Sequence, residues 1–232
     1  MAKAAFRRQS TTGSVGETAK PDAFPAVDAE LKTGVEQGGE AVIAVRDVRS
    51  RNVRLSVEYV RLRPGSWGAV KDDIQRLESL CFNPERRFGN VRLKSIYADP
   101  YAVNLVAKVD GRIVGYVHGG PLESPHFRDL EGVTADSNYG KYNTYYGGGV
   151  AVDPAYQGLG ISKFLHDESL KIIKTSAGPT RKTYEYKSGR TERGTPTNRF
   201  FRRKGAVFRT IPGRHSKTKD DMEYYSLPLN RV

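Results

Sequence analysis

The segment "GGGVAVDPAYQGLGISKFLHDES", residues 147–169, decides how this chain folds. Val150-Ala151-Val152 is a short β-forming run, and Asp153-Pro154 ends it. Gln157-Gly158-Leu159-Gly160 comes next. From about Gly160 to Ser176, Ile161, Phe164, Leu165 and Ile172 recur at helical spacing. A strand that feeds a helix through glycines presents free backbone N–H groups at the positive end of the helix dipole, which suits an anion. Glycines at 158 and 160 would let a phosphate come close to the backbone. The same glycines also serve as ordinary helix-entry punctuation. Two well-known phosphate loops do not fit. Position 163 is Lys where a dinucleotide fingerprint needs its third glycine, and Ser162-Lys163 lacks the frame of a Walker A loop.

The flanking sequence supplies the rest of an α/β pattern. Arg54–Arg63 reads as a strand and Pro64-Gly65 as a turn. Ser66 can cap a helix carrying Trp67, Val70, Ile74, Leu77 and Cys81 at helical spacing, which Asn83-Pro84 ends. Val103–Val109 and Ile113–Val117 flank Asp110-Gly111, the signature of a tight hairpin. Residues 121–143 show no decided period and read as a long surface loop. Tyr145–Val152 is a strand, Thr183–Tyr186 another, and Thr195–Lys204 a short helix stopped by Gly205. Val207–Ile211 and Met222–Leu227 complete the series. This order predicts a mixed sheet of about six to seven strands, part parallel and part antiparallel, flanked by helices.

Composition sets the bounds. The chain has 232 residues, 38% hydrophobic and 28% charged, a globular balance. No apolar run approaches a membrane span. Cys81 is the single cysteine, which excludes an internal disulfide framework and reads as a buried small hydrophobe. His118, His126, His166 and His215 lack metal-ligand spacing, so no metal is expected. Residues 1–52 are expected to be a flexible arm before a domain at 53–232; Ser, Thr, Gly and Ala dominate its first half. It has no secretory core, and a disordered cytoplasmic tail fits better than a transit peptide. The net charge is +12, and residues 181–232 hold 14 Lys/Arg against five Asp/Glu. Such a field favours an anionic partner: nucleic acid, a polyphosphate cofactor or an acidic substrate.

"VAVDPAYQGLGIS" resembles the acyl-CoA-binding segment of the GNAT N-acetyltransferase superfamily, in which a strand end leads through Asp/Asn-Pro to Arg/Gln-x-x-Gly-x-Gly/Ala. Gln157, Gly160 and Ser162 hold those slots, with Ser162 replacing the usual Gly or Ala. "VRLRPGSWGAVKDDIQRLESLCF", "AVNLVAKVDGRIVGYVHGG", "TPTNRFFRRKGAVFRTIPG" and "DDMEYYSLPL" are similar to the other elements of the family, in order, over residues 54–228. The resemblance implies a splayed sheet with acetyl-CoA wedged into it. The backbone of Val150, Ala151 and Val152 would pair with the pantetheine arm. The amides of Gly158, Leu159, Gly160, Ile161 and Ser162, with Gln157 beside them, would hold the diphosphate. Asn198 and Phe201 of the last helix would contact the cofactor.

The implied reaction is attack of an amine on the thioester. A backbone N–H at or near Val150 would polarise the carbonyl. The family's general acid is a Tyr four residues before the Gly that ends the last helix, and here that position is Phe201, which cannot donate a proton. Tyr184, Tyr186 or water must then do so; a thiolate is a fair leaving group, so activity is expected to survive the loss. The general base is unassigned among His118, Glu185, Tyr145 and Tyr146, the last two expected to line an acceptor groove. The acceptor would be an amine of a small molecule or protein. A different reading is a non-catalytic GNAT-fold protein that binds nucleic acid or ribosome through "RFFRRKGAVFR", residues 199–209, where basic and aromatic residues interleave.

Overall fold

The computed structural model describes residues 36–37, 40–50, 53–211 and 222–232. Nine strands form one sheet: β1 Glu36–Gln37, β2 Glu40–Ser50, β3 Val53–Leu62, β4 Asn104–Val109, β5 Arg112–Pro121, β6 Thr144–Val152, β7 Tyr186–Glu192, β8 Val207–Thr210 and β9 Met222–Pro228. Their spatial order is β1-β2-β3-β4-β5-β6-β7-β9-β8. Every neighbouring pair is antiparallel except β6 and β7, which run parallel. The helices are α1 Trp67–Cys81, α2 Asn90–Ala98, α3 Ile161–Thr175 and α4 Pro196–Arg203. Among the described residues no helix is long and apolar enough to cross a membrane.

The strand count exceeds the expected six to seven because β1 and β2 lie inside the segment expected to be an arm. "EAVIAVRDVRS" pairs along its length with β3, and Ala44 is buried in the core. Its charges, Arg46, Asp47 and Arg49, obscure the apolar alternation. Residues 36–37 and 40–50 of the expected arm thus belong to the sheet, and residues 1–35 lie outside the described part of the chain.

Two cores flank the sheet. On one face α1 buries Trp67, Val70, Ile74 and Leu77, and α2 buries Leu93, Ile96 and Tyr97. On the other, α3 buries Ile161, Leu165, Leu170 and Ile173, and α4 buries Phe201. Each such side chain contributes roughly 1.5–3 kcal/mol. The hairpin between β4 and β5 turns on Asp110 (φ 50°) and Gly111 (φ 77°), the left-handed pair its sequence demands.

Residues 121–143 are not the structureless surface loop expected. A chain of turns joins each third residue to the one before it: Ser124 N–H to Pro121 O, then Phe127 to Ser124, Leu130 to Phe127, Val133 to Leu130, Asp136 to Val133 and Tyr139 to Asp136. Successive turns of this kind point every third residue the same way, and Phe127, Leu130 and Val133 are buried. The strand expected at Thr183–Tyr186 begins instead at Tyr186 and runs on through the polar "YKSGRTE", whose inward side chains are held by hydrogen bonds and close glycine packing.

Candidate active site

The sheet forks between its two parallel strands. β6 and β7 pair over four positions, from Thr144 opposite Tyr186 to Gly147 opposite Gly189. Beyond them β6 continues to Val152 along β5, while β7 continues to Glu192 along β9. The cause is a bulge. His118 stands opposite Gly149 and Gly119 opposite Gly147, so Gly148 is an extra residue in β6. A bulge bends and twists the strand that carries it. A Cβ on Gly148 would lie 3.0 Å from the His118 ring and 3.1 Å from Phe127, and one on Gly149 3.0 Å from His118 Nε2. The run of glycines is what the bulge can accommodate.

Past the fork β6 has a free edge. The Asp153 amide donates to Val114 O on the β5 side. By alternation Val152 and Val150 direct their N–H and C=O groups away from β5, into the fork. The Val152 carbonyl already accepts from Gln157 Nε2 at 3.0 Å and from the Cys81 thiol at 3.3 Å. Gln157 thus braces the loop against the strand end rather than reaching for a ligand. Asp153 starts the turn, accepting from the Ala155 amide at 3.1 Å and from Arg76 at 2.7 Å. Burial raises its carboxyl, but the amide and the guanidinium outweigh that and hold it below its ordinary range.

The loop then opens. Gly158 and Gly160 have φ of 81° and 77°, where a side chain would be strained, and nothing lies within 4 Å of where their Cβ atoms would be. No side chain caps α3. Among the described residues no hydrogen bond engages the amides of Gly158, Leu159, Gly160, Ile161, Ser162 or Lys163, and the Phe164 amide is the first to turn inward, to Gly160 O. This makes an anion cradle at the open end of the fork.

A family model described as the acetyltransferase (GNAT) family matches residues 71–189, more than half of the chain, including every paired position of β6 and β7 and the loop into α3. The chain belongs to the GNAT family. Its fold is similar to the loading GNATL domain of CurA from Lyngbya majuscula, with a TM-score of 0.58 at 16% identity over 75% of this chain and 99% of that one. It is similar to the GNAT-like decarboxylase GphF, whose structure contains isobutyryl-CoA (TM-score 0.55, 19% identity, 74% and 98%). It is also similar to the ribosomal-protein-S18-alanine N-acetyltransferase of Escherichia coli (0.52, 11%, 75% and 94%). At these identities the likeness is one of fold. No curated protein sequence matches the chain.

The GNAT fork sorts the expected catalytic side chains. Tyr145 is remote from it and structural: its hydroxyl donates to Val103 O and accepts from Val103 N–H, and burial raises its pKa well above the ordinary value. Glu185 is exposed at the far end of β7, accepting from Asn143 Nδ2 at 2.9 Å. Tyr184 packs edge-on to Tyr145, and Tyr186 pairs at the closed end opposite Thr144. Tyr146 is buried against Phe127, and burial raises its pKa against the opposing effect of nearby Arg190. None of these lines an open acceptor groove. His118 does reach the fork, stacked between Phe88 and Tyr116 with both ring nitrogens unpartnered. Burial, with His126 nearby, lowers its pKa to about 3, so the ring is neutral and a weak base.

The α4 contacts differ from expectation. Asn198 gives its amide to Glu223 at 2.8 Å, and its carbonyl accepts from Arg202. Phe201 is fully buried, its ring stacked on Tyr225 at 4.1 Å. Residues 199–209 offer no stacking platform for nucleic acid. Phe200 packs on His166, Arg202 covers Phe208 and binds Glu223, and Arg209 donates to the carbonyls of Gly132 and Ala135. Sequence reasoning missed the group directly behind the fork. Lys187 is 1% exposed, with its amine 3.2 Å from Ser169 Oγ and above the Phe201 ring, and burial lowers its pKa to about 7. The Tyr225 hydroxyl points at the same place. No local pattern marks either residue, since Lys187 is brought there by the parallel pairing of β7 with β6 and Tyr225 by the antiparallel pairing of β9 with β7.

Proposed function

We propose that the chain is an acyl-CoA-dependent N-acyltransferase, with acetyl-CoA as donor, that acylates an amine of a small molecule or protein by direct attack. The observation that carries this reading is the strand fork leading into six unengaged amides. The spacing matches the shape of the donor: a linear pantetheine arm for the free edge of β6, and a diphosphate for the helix start. The Val150 N–H, directed into the fork, would hydrogen-bond the thioester oxygen as charge builds on it. The amine would enter from the His118 side, where Phe88 and Tyr116 supply an apolar wall, and would have to arrive unprotonated because His118 is a poor base. The basic C-terminal quarter supplies a favourable field for a polyanionic donor.

Calorimetry with acetyl-CoA tests this, with Ser162→Glu as the control. Ser162 sits in the first turn of α3, where a carboxylate interacts favourably with the helix dipole by about 0.3–1 kcal/mol. The variant should keep or raise the thermal midpoint while losing at least about tenfold in acetyl-CoA affinity through like-charge repulsion. Unchanged affinity would refute the assignment of the loop to the diphosphate. Mass spectrometry of acyl transfer in a lysate would then identify the acceptor.

A further inference from the structure

Gly147 and Gly189 face each other across the last paired position of the fork, and neither has a left-handed backbone. Their missing side chains answer to a neighbour. A Cβ on Gly189 would lie 2.7 Å from the Tyr225 hydroxyl, and one on Gly147 3.1 Å from it. Tyr225 stands opposite Gly189 in β9, so its ring lies across both glycines and its hydroxyl ends at the apex of the fork. Among the described residues that hydroxyl makes no hydrogen bond, and although Tyr225 is only 3% exposed its oxygen is not one of the fully buried polar atoms without a partner. The little exposure the residue keeps therefore reaches its hydroxyl, which is left free at the apex while the ring is buried. The ring is stacked nearly parallel on Phe201, at 17°. Phe201 is the position from which α4 would present a phenol in the pattern this chain resembles.

We propose that Tyr225 is the proton donor to the departing thiolate, replacing from β9 the phenol that α4 lacks. This rests on the acyltransferase reading above. With the pantetheine arm along the free edge of β6, its sulfur comes to the apex, beside the Tyr225 hydroxyl. The amine nitrogen forms the new C–N bond, the electrons of the breaking C–S bond pass to sulfur, and the Tyr225 proton follows them. The proton released by the attacking nitrogen, carried by solvent, restores the phenol. Burial raises the phenol well above its ordinary pKa, so it stays protonated until sulfur develops charge. Lys187 of β7, with Ser169 and His166 of α3 behind it, lies beside the apex on this face; among them Lys187 can hold a positive charge near the leaving sulfur.

Tyr225→Phe removes one oxygen and strands no partner, so its thermal midpoint should match wild type. The first readout needs no acceptor: the ultraviolet absorption of the thiolate of bound CoA, titrated against pH. Wild type should lower the thiol pKa of bound CoA, and Tyr225→Phe should return it towards the free value. Acetyl transfer to the acceptor found by mass spectrometry should fall roughly tenfold to a hundredfold, the low end of general-acid effects because a thiolate leaves readily. Tyr225→Phe combined with Phe201→Tyr should recover part of that loss. Identical thiol titration and transfer in wild type and Tyr225→Phe would overturn the proposal and leave the acyltransferase reading standing. Loss of CoA affinity together with rate would overturn it too, by making the hydroxyl a binding group. Failure of wild type to bind CoA would remove the parent reading first.

Discussion

Replacing Lys187 by Met should stabilise this protein. The amine is buried, and among the described residues no carboxylate pairs with it. Its neighbours are His166 and Ser169 from α3, Tyr145 from β6, and Phe201 from α4. Burial lowers its pKa from 10.5 to about 7. At about 1.4 kcal/mol for each tenfold, the folded protein gives up about 5 kcal/mol relative to an amine in water. Relaxation and water entry around the real side chain reduce that, so about 2–4 kcal/mol is the expected gain near neutral pH. Met keeps the length and apolar stem of the lysine. Ser169 loses an incoming hydrogen bond but keeps its own to His166 O at 2.8 Å, so no donor is stranded.

The pH dependence gives the sharper test. Because the folded pKa lies below the unfolded one, the unfolded chain binds more protons between about pH 7 and 10.5. Wild-type stability from this group should therefore rise with pH across that window. Below it the penalty is fully present, and above it the penalty is gone. Urea unfolding of both proteins at about pH 7 and about pH 10 should show the Lys187→Met advantage shrinking to under about 1 kcal/mol at the higher value. A variant less stable than wild type near neutral pH, or an advantage that grows with pH, would refute the reasoning. It would mean that the amine is charged and paired.

His166 should make the protein acid-labile. Burial, with Lys187 nearby, lowers its pKa to about 3 against an ordinary 6.5, so stability falls as pH drops through 6.5, by about 2 kcal/mol at about pH 5; His166→Phe should flatten the part of the acid unfolding curve due to this residue. Glu223 ties α4 to β9 through Asn198 Nδ2 and Arg202, at 2.6 Å for the latter, and also binds Arg193 of the turn before α4. Glu223→Gln should lower stability by about 1–3 kcal/mol, measured by thermal denaturation, with the loss shrinking in high salt.

The elements with strong local signals were legible in the sequence: the 3.6-residue stripe of α1 and α3, the Asp110-Gly111 hairpin, and the Gly158–Gly160 turn. What hid the rest was non-local. β2 carries charges on both faces, Arg46 over Phe164 of α3 and Asp47 and Arg49 on the other side, and they mask its pairing with β3. β7 reads as polar because Lys187, Ser188 and Thr191 face inward and are held by Ser169, Tyr224 and Thr195 rather than by apolar contacts. The turns of residues 121–139 repeat every three residues, a period that neither a helix nor a strand template detects. Catalytic candidates chosen by residue type near the glycine motif fared worst. Tyr145 and Glu185 are close to the fork in sequence but sit at the closed end of the parallel pair, whereas Tyr225, far away in sequence, reaches the apex.

The glycines show why type alone could not have separated these cases. Gly158 and Gly160 are demanded by their own backbone: φ is positive and the space around them is empty. Gly147 and Gly189 are demanded by someone else's side chain: neither φ is left-handed, and the space is filled by Tyr225. The first pair leaves open the space proposed above for the donor's diphosphate. The second makes room for a hydroxyl that is, and in doing so brings a phenol to the point where the strands part. A sequence prints both as Gly. The difference lies in which partner comes within reach once β7 has paired in parallel with β6, and that pairing is set by the α3 crossover between them. The chemistry at the apex is thus specified by topology first and by residue type second.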